Sequence, residues 1–285
     1  MSVQPIGLFD SGVGGFSIMR EIRRNLPYEN MVFLSDNARH PYGSKSELKI
    51  RTISLGNALF LSRKESKIVV VACNTASAVA KEFIESMIDT QVIGVIDAGV
   101  RAALESSKNG RIGVIGTRQT IASGAHEKAL THLNPDVKVF SKATPIFAPV
   151  VEEGYLERSS TDLLIREEME FFINNGVDTL ILGCTHYPFL VEKIAASLGP
   201  MVKLIDPAKE TAKEIKAILS STNKLNRSGR HPWTHVFSSD PSGMSYMPSG
   251  FPGDMAFSTI GLEDLEKDAY PTRDAAPEIK EVLLS

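Results

Sequence analysis

Two cysteines are the residues in this sequence best suited to acid–base chemistry, and they are the only cysteines among the 285 residues. Each ends a short apolar run and is followed by two side chains that form hydrogen bonds. The two stretches are Ile68-Val69-Val70-Val71-Ala72-Cys73-Asn74-Thr75 and Leu180-Ile181-Leu182-Gly183-Cys184-Thr185-His186. Such runs indicate buried parallel strands, and ligands of α/β proteins bind beyond the carboxyl ends of these strands. We therefore predict that the two thiols face one substrate and exchange a proton with it.

The polar residues behind the cysteines favour an amino acid as the ligand. Taken alone, either cysteine is more simply explained as a small buried apolar residue. Packing does not require hydrogen-bonding residues after both of them, whereas a substrate with a carboxylate and an ammonium does. Asn74, Thr75 and Thr185 supply the donors and acceptors. Helices beginning just beyond Thr75 and Thr185 would add free backbone N–H groups for an anion.

A glycine-rich stretch, Asp10-Ser11-Gly12-Val13-Gly14-Gly15, follows the first predicted strand. Its spacing differs from that of a dinucleotide-binding motif, because Ser17 stands where the third glycine should be. It also lacks the lysine of a phosphate-binding P-loop. The glycines allow either close approach of the backbone to a small anion or a tight strand-to-helix turn, and the sequence leaves both interpretations open.

Three acidic residues are candidates for the same site, although each could equally be an ordinary solvated acid. Asp10 and Asp36 end predicted strands on the side where the cysteines lie, and Glu152 is placed to reach the same cleft. His186 is a satisfied polar residue, a partner that activates a thiol, or a metal ligand. Cysteines, a histidine and a carboxylate are zinc ligands, but structural zinc sites usually contain closely spaced cysteine pairs. The other histidines belong to no recognisable motif: His40, His126, His132, His231 and His235.

The bulk composition is that of an ordinary globular protein, with 42% hydrophobic and 23% charged residues. A net charge of −3 gives no general attraction to nucleic acid or to an anionic membrane. No apolar run approaches the ~20 residues of a membrane span. The first five residues lack the basic region of a signal peptide, so we expect a cytoplasmic protein with free thiols rather than a disulfide.

Apolar β-branched runs alternate with helical stripes along the chain, which predicts an α/β fold with mostly parallel sheets. A fourth strand is predicted from Gln91 to Ile96, ending at Asp97, a last strand from His235 to Ser238, and short helices at Glu263 to Lys267 and at 277–284. The order of elements in the first part of the chain returns in the second. The matching strand ends are Ile6 to Ser11 with Ile112 to Thr117, Cys73 with Cys184, and Asp97 with Asp206. Because nearly the same number of residues separates each pair, two similar α/β halves are predicted. The alternative, that any two βαβ units look somewhat alike, stays open.

Several motifs, taken together, resemble glutamate racemase. They are Asp10-Ser11-Gly12-Val13-Gly14-Gly15, Pro41-Tyr42-Gly43, Ala72-Cys73-Asn74-Thr75-Ala76, Gly116-Thr117, Val151-Glu152-Glu153-Gly154 and Gly183-Cys184-Thr185-His186-Tyr187-Pro188. The similarity is in register from about residue 5 to about residue 220. Related amino-acid racemases share the cysteines but not the whole set.

The resemblance implies a role for each matching residue. Cys73 and Cys184 would be the proton donor and acceptor on opposite faces of the substrate Cα. Asp10 would assist Cys73, His186 would assist Cys184, and Asp36 and Glu152 would tune the electrostatics of the site. The residues implied to hold the substrate are Ser11, Tyr42, Gly43, Asn74, Thr75, Thr117 and Thr185.

The resemblance also implies the organisation of the molecule. Two α/β domains would be related by a pseudo-twofold axis, with the active site in the cleft between them. The first domain would comprise residues 1–97 and 207–285, and the second, inserted domain would comprise residues 98–206. The family commonly forms homodimers, and it supplies D-glutamate for peptidoglycan and the bacterial cell wall.

Two fixed thiols suit racemisation, because one removes the Cα proton while the other returns a proton to the opposite face. We expect neither a cofactor nor a metal. A pyridoxal enzyme needs a Schiff-base lysine, and no lysine occupies a comparable strand end. Three alternatives stay open: a racemase of aspartate or a related amino acid, a zinc hydrolase, and a non-catalytic amino-acid-binding protein.

Overall fold

The computed structural model describes residues 2–240, 242 and 255–267, and every strand pairing within them is parallel. The first sheet has the strand order β10-β9-β2-β1-β3-β4, and the second has the order β6-β5-β7-β8. The strands of the first sheet are β1 Ile6–Asp10, β2 Met31–Ser35, β3 Ile68–Val71, β4 Val92–Gly94, β9 Thr234–Ser238 and β10 Met255–Thr259. Those of the second are β5 Arg111–Gly116, β6 Lys138–Ala143, β7 Thr179–Gly183 and β8 Lys203–Ile205.

Helices connect these strands and cover both faces of each sheet. Their bounds are α1 Phe16–Asn25, α2 Glu47–Arg63, α3 Asn74–Met87, α4 Ile96–Ser106, α5 Arg118–Ala122, α6 Ala125–Leu133, α7 Phe147–Glu152, α8 Ser159–Asn174, α9 Val191–Leu198, α10 Pro207–Ser221 and α11 Leu262–Glu266. Along β3, Ile68 and Val70 pack into one apolar cluster while Val69 and Val71 pack into another on the opposite face. A continuous β-branched run is therefore required, since the strand is buried on both sides.

The two halves repeat one topology, because β2-β1-β3-β4 and β6-β5-β7-β8 have the same order in space and along the chain. Each cysteine follows the third strand of its half, β3 or β7. The predicted α/β class with parallel sheets and two similar halves is thus confirmed. Strand β9 extends the first sheet on the far side of β2, and β10 extends it further.

The chain leaves the first sheet through α4 and returns to it through α10, and these two helices pack against each other. At their contact, a Cβ on Gly99 would lie 3.2 Å from Cγ of Pro207. Asp206 caps α10 by accepting a hydrogen bond from the Ala208 amide, at 3.0 Å. The fourth strand was predicted to run to Ile96 and end at Asp97. It ends at Gly94 instead, and Asp97 lies in the first turn of α4.

The C-terminal part of the chain contains one predicted strand and one strand that was not predicted. The run His235 to Ser238 forms most of β9, whereas β10 carried no clear alternation of apolar and polar residues. The predicted short helix at Glu263 to Lys267 corresponds to α11. The helix predicted for 277–284 lies outside the described residues. Among the helices that are described, none has the length and apolar character needed to cross a bilayer.

Candidate active site

A cavity of about 210 Å³ lies where β1, β3, β5 and β7 end. It is smaller than the roughly 300–1,000 Å³ of sites for drug-sized ligands, so it suits a small metabolite. All of the predicted site residues line it except Asp10 and Asp36. The lining residues are Ser11, His40, Pro41, Tyr42, Gly43, Ser44, Cys73, Asn74, Thr75, Thr117, Arg118, Pro145, Ala148, Pro149, Glu152, Cys184, Thr185 and His186.

Cys73 lies between the end of β3 and the first residue of α3, Asn74. Its side chain packs into the apolar core of the first half, while the residue also borders the cavity. The Cys73 Sγ is 3.7 Å from the Ser11 hydroxyl. Burial, together with the nearby Asp10 carboxylate, raises the pKa of the Cys73 thiol to about 12. In the free protein at neutral pH this cysteine is therefore a thiol.

Cys184 occupies the equivalent position after β7 and also borders the cavity. Its Sγ is 3.6 Å from Nδ1 of His186. Burial raises the pKa of the Cys184 thiol, and the Cys73 and Asp10 charges act in the same direction. A 3-10 turn at Tyr187–Leu190 follows this cysteine, so the helix expected just beyond Thr185 begins only at Val191.

The Glu152 carboxylate accepts contacts from two imidazoles through one oxygen. Its Oε1 is 2.9 Å from Nε2 of His186 and 2.8 Å from Nε2 of His40. Burial would raise the pKa of Glu152, but the two histidine partners prevail and lower it to about 2. A carboxylate at Nε2 assigns the ring proton of His186 to that nitrogen. With the ring proton on Nε2, Nδ1 of His186 faces Cys184 as an acceptor for the thiol proton.

The buried Asp10 carboxylate joins the glycine-rich stretch to the loop that carries Cys184. Its Oδ2 accepts hydrogen bonds from the Gly15 amide at 2.7 Å and from the Thr185 hydroxyl at 3.2 Å. Burial raises the pKa of Asp10. Close packing also explains Gly14, where a Cβ would overlap with the Thr185 hydroxyl and lie 2.9 Å from Cε1 of His186. Only Ser11 of the glycine-rich stretch lines the cavity, so its glycines serve the turn and this approach.

Asp36 is fully buried, and it reaches the cavity only through Tyr42. Its Oδ2 accepts a hydrogen bond from the Tyr42 hydroxyl, and both oxygens accept from Nε of Arg39, at 3.0 and 2.8 Å. The Ser239 hydroxyl donates to Oδ1 at 3.0 Å. The sequence placed Asp36 in the site as an electrostatic residue; its contacts are those of a residue that fixes the loop 36–44 and ties it to the C-terminal segment.

A cluster of hydroxyl groups joins the halves on the other wall of the cavity. The Thr75 Oγ1 lies 3.0 Å from that of Thr117 and 3.1 Å from that of Thr120. The backbone of Gly43 packs on the same cluster, because a Cβ there would lie 2.7 Å from Cβ of Thr117. Residues that follow strands of both sheets therefore fix this wall, and Thr75 and Thr117 border the cavity.

Comparison with known proteins places this site in a family. Residues 17–215 match the model of the family described as Asp/Glu/Hydantoin racemase. The chain belongs to this racemase family. A relative named glutamate racemase, from Streptococcus pneumoniae serotype 19F, is 42% identical over 272 residues, which cover 95% of this chain and 98% of the relative.

Solved structures show the same fold. The glutamate racemase isoform from Bacillus anthracis has a TM-score of 0.85 and 35% identity, covering 92% of this chain and 99% of that one. The glutamate racemase from Francisella tularensis, solved in complex with D-glutamate, has a TM-score of 0.84 and 33% identity, covering 92% and 99%. The chain is accordingly an isomerase, and its racemase fold places both cysteines at one small cavity.

Sequence reasoning missed three polar residues that line this racemase site, His40, Ser44 and Arg118. His40 was assigned to no motif, yet it lines the cavity and contacts Glu152. The signal available was its position directly before Pro41-Tyr42-Gly43, a stretch that the sequence had already singled out. Residues 2–240, 242 and 255–267 contain no set of three or more His, Cys, Asp or Glu side chains arranged to hold a metal.

Proposed function

We propose that this racemase interconverts L- and D-glutamate, with Cys73 and Cys184 as the two groups that transfer protons at Cα. The observation that carries the proposal is the shared cavity, which both cysteines border from different halves of the molecule. Neither thiol is closed off behind apolar side chains alone. The names of the relatives, and the complex of one of them with D-glutamate, support glutamate as the substrate.

The reaction starts when one cysteine, as thiolate, takes the Cα proton and becomes a thiol. The electron pair left on Cα is shared with the α-carboxylate, and the other thiol gives its proton to the opposite face. The two sulfurs have then exchanged protonation states. A buried thiol with a pKa of about 12 ionises with difficulty, but its thiolate is a correspondingly strong base in a partly dry cleft.

Neighbouring residues make the thiolate accessible and hold the substrate. His186 accepts the proton of Cys184 through Nδ1, and Glu152 balances the charge that forms on its ring. Asp10 is proposed to assist Cys73 as a base: burial raises the pKa of the Asp10 carboxyl, which strengthens the carboxylate as a proton acceptor, although its charge also raises the pKa of the Cys73 thiol. The groups proposed to bind the carboxylates and the ammonium are the side chains or backbones of Ser11, Tyr42, Gly43, Asn74, Thr75, Thr117 and Thr185.

The proposal extends to the organisation and the setting of the enzyme. Residues 1–97 with 207–285, and residues 98–206, would form two domains that close on the substrate, each built on one of the two sheets. We further propose a cytoplasmic homodimer that makes D-glutamate for peptidoglycan and acts without a cofactor. Strand and helix positions agree with the division, since the chain crosses between the sheets at α4 and α10.

Incubation of the purified protein with either enantiomer of glutamate tests the proposal. Circular dichroism should fall to zero from both directions, with no added pyridoxal phosphate or metal. In D₂O the product should gain deuterium at Cα before the remaining substrate does, because the second thiol supplies a solvent-derived proton. Cys73→Ala and Cys184→Ala should each abolish racemisation and leave the far-UV spectrum unchanged. Full activity in either variant would refute the two-thiol mechanism.

The same assay with aspartate separates the closest alternative. A racemase of aspartate would lose the optical signal of aspartate faster than that of glutamate at equal concentration. If the protein only binds amino acids, glutamate should change its melting temperature, but the Cα proton of glutamate should not exchange with solvent.

A further inference from the structure

We infer that His40 is a positioning residue of this racemase, which holds the Glu152 carboxylate against His186 and so keeps His186 directed at Cys184. The inference rests on the proposed two-thiol reaction. No motif of the sequence identifies His40, which supplies the ion pair between the loop 36–44 and Glu152.

The geometry is a chain of three contacts that ends at a sulfur. His40 Nε2 is 2.8 Å from Glu152 Oε1, the same oxygen is 2.9 Å from His186 Nε2, and His186 Nδ1 is 3.6 Å from the Cys184 Sγ. The rings of the two histidines lie 6.1 Å apart, so they do not stack on each other. Their link is the carboxylate, which both Nε2–H groups approach.

Glu152 depends on His40 because little else fixes its side chain. It is the last residue of α7, and its side chain is 31% exposed. In the described part of the chain, the two imidazoles are the partners of its carboxylate. Without His40, one contact would have to hold a flexible, partly exposed side chain in a single orientation, against the rotamer entropy that a glutamate side chain loses when it is fixed.

His40 itself is held from the other half of the molecule. Its amide donates to the Asn37 carbonyl at 3.1 Å, and Pro41 follows it directly. Its ring packs over the backbone of Gly12, where a Cβ would lie 3.0 Å from Nδ1. The ring is therefore fixed by the loops of the first sheet, whereas Glu152 and His186 follow strands of the second. The contact between His40 and Glu152 therefore crosses the cleft. It forms only when the two halves meet, and it then completes the row of Glu152 and His186 behind Cys184.

Charge supports this arrangement. Burial lowers the pKa of His40, but the Glu152 and Asp10 carboxylates prevail and raise it. Glu152 is held as a carboxylate by the same contacts. A carboxylate that remains ionised keeps the proton of His186 on Nε2, so that Nδ1 is available to the thiol. His40 does not contact Cys184, which makes it a positioning residue rather than a catalytic one.

Kinetics of three variants test the inference. His40→Leu removes the donor, His40→Gln keeps an N–H near the place of Nε2, and His231→Leu changes an exposed histidine outside the site. We expect His40→Leu to lower kcat about ten-fold while KM changes less than about two-fold, as for the loss of one charged hydrogen bond acting on the chemical step. His40→Gln should recover most of kcat, and His231→Leu should match the unmodified enzyme. A raised KM with unchanged kcat would overturn the inference and assign His40 to substrate binding.

An isotope measurement separates positioning from a general structural effect. The Cys184→Ala variant first shows which enantiomer each cysteine deprotonates. In D₂O, its remaining Cys73 should exchange the Cα proton of one enantiomer only, so the other enantiomer is the one that Cys184 deprotonates. The kinetic isotope effect on kcat is then measured with each enantiomer deuterated at Cα. His40→Leu should raise it for the enantiomer that Cys184 deprotonates, because that step becomes slower. It should lower it for the other enantiomer, because the slowed step there is the return of a proton from Cys184 and not the removal of deuterium by Cys73. An equal change for both enantiomers would contradict the inference. If the unmodified protein shows no racemisation at all, the proposed function itself is refuted.

Discussion

Replacement of Gly14 by alanine tests whether the glycine-rich stretch must pack closely against the loop that carries Cys184. Gly14 has no positive φ, so alanine adds no backbone strain there. Its Cβ, however, would overlap with the Thr185 hydroxyl and lie 2.9 Å from Cε1 and Nδ1 of His186. Ordinary van der Waals contact begins near 3.4 Å, so the loop that carries Cys184 has to move by about 1 Å. Overpacking of this kind costs about 1–3 kcal/mol of stability.

The larger effect falls on catalysis. A shift of ~1 Å in a catalytic group lowers the rate roughly 100-fold, which corresponds to about 2.7 kcal/mol in the barrier. We expect Gly14→Ala to lower kcat by that factor, measured by circular dichroism with L-glutamate. Gly99→Ala is the matched control, because its Cβ would meet Cγ of Pro207 at 3.2 Å far from the cavity, within a helix that favours alanine. It should leave kcat unchanged and unfold at an equal or higher temperature.

A double variant distinguishes the overlap from other consequences of the substitution. Thr185→Ala removes the overlapping hydroxyl, so the pair Gly14→Ala and Thr185→Ala should lose less activity than the product of the two single losses. Purely multiplicative losses would mean that the two side chains do not compete for one space. Wild-type kcat in Gly14→Ala itself would refute the reasoning, because His186 would then tolerate a displaced loop.

Two further predictions concern single groups. Because burial and Asp10 raise the pKa of Cys73 to about 12, its alkylation by iodoacetamide, followed by mass spectrometry, should accelerate about ten-fold per pH unit from pH 7 to 10. A rate that levels off above about pH 9 would instead show an ordinary thiol, with a pKa of roughly 8.5. Asp36→Asn removes the closer of the two carboxylates that pair with the buried Arg39 guanidinium and leaves only Glu266 at 3.4 Å, so urea unfolding should show a loss of about 3–5 kcal/mol, and KM should rise as Tyr42 is released. Stability within 1 kcal/mol of the unmodified protein would contradict this account of Asp36.

The sequence was a reliable guide to elements whose signal is local. Runs such as Ile68 to Val71 predicted buried strands, because a strand covered on both faces needs apolar, β-branched residues at every position. The short fourth strand was predicted too long, since Val95 and Ile96 continue an apolar pattern that a helix start also satisfies. Strand β10 was missed, because it lies at the edge of the sheet with its side chains largely exposed.

The sequence by itself identified the two cysteines and the polar residues behind them as candidates for the site, and it showed the repeated order of strands. These features depend on residue type and spacing, which a chain displays directly. Only the tertiary structure decided that His40 meets Glu152, that Asp36 supports Tyr42 and that Gly14 makes room for Thr185. Two of these three contacts join parts of the chain more than a hundred residues apart, and the third depends on the turn that the loop 36–44 adopts. Their geometry is set by how two sheets and their loops pack, and no local pattern encodes that packing.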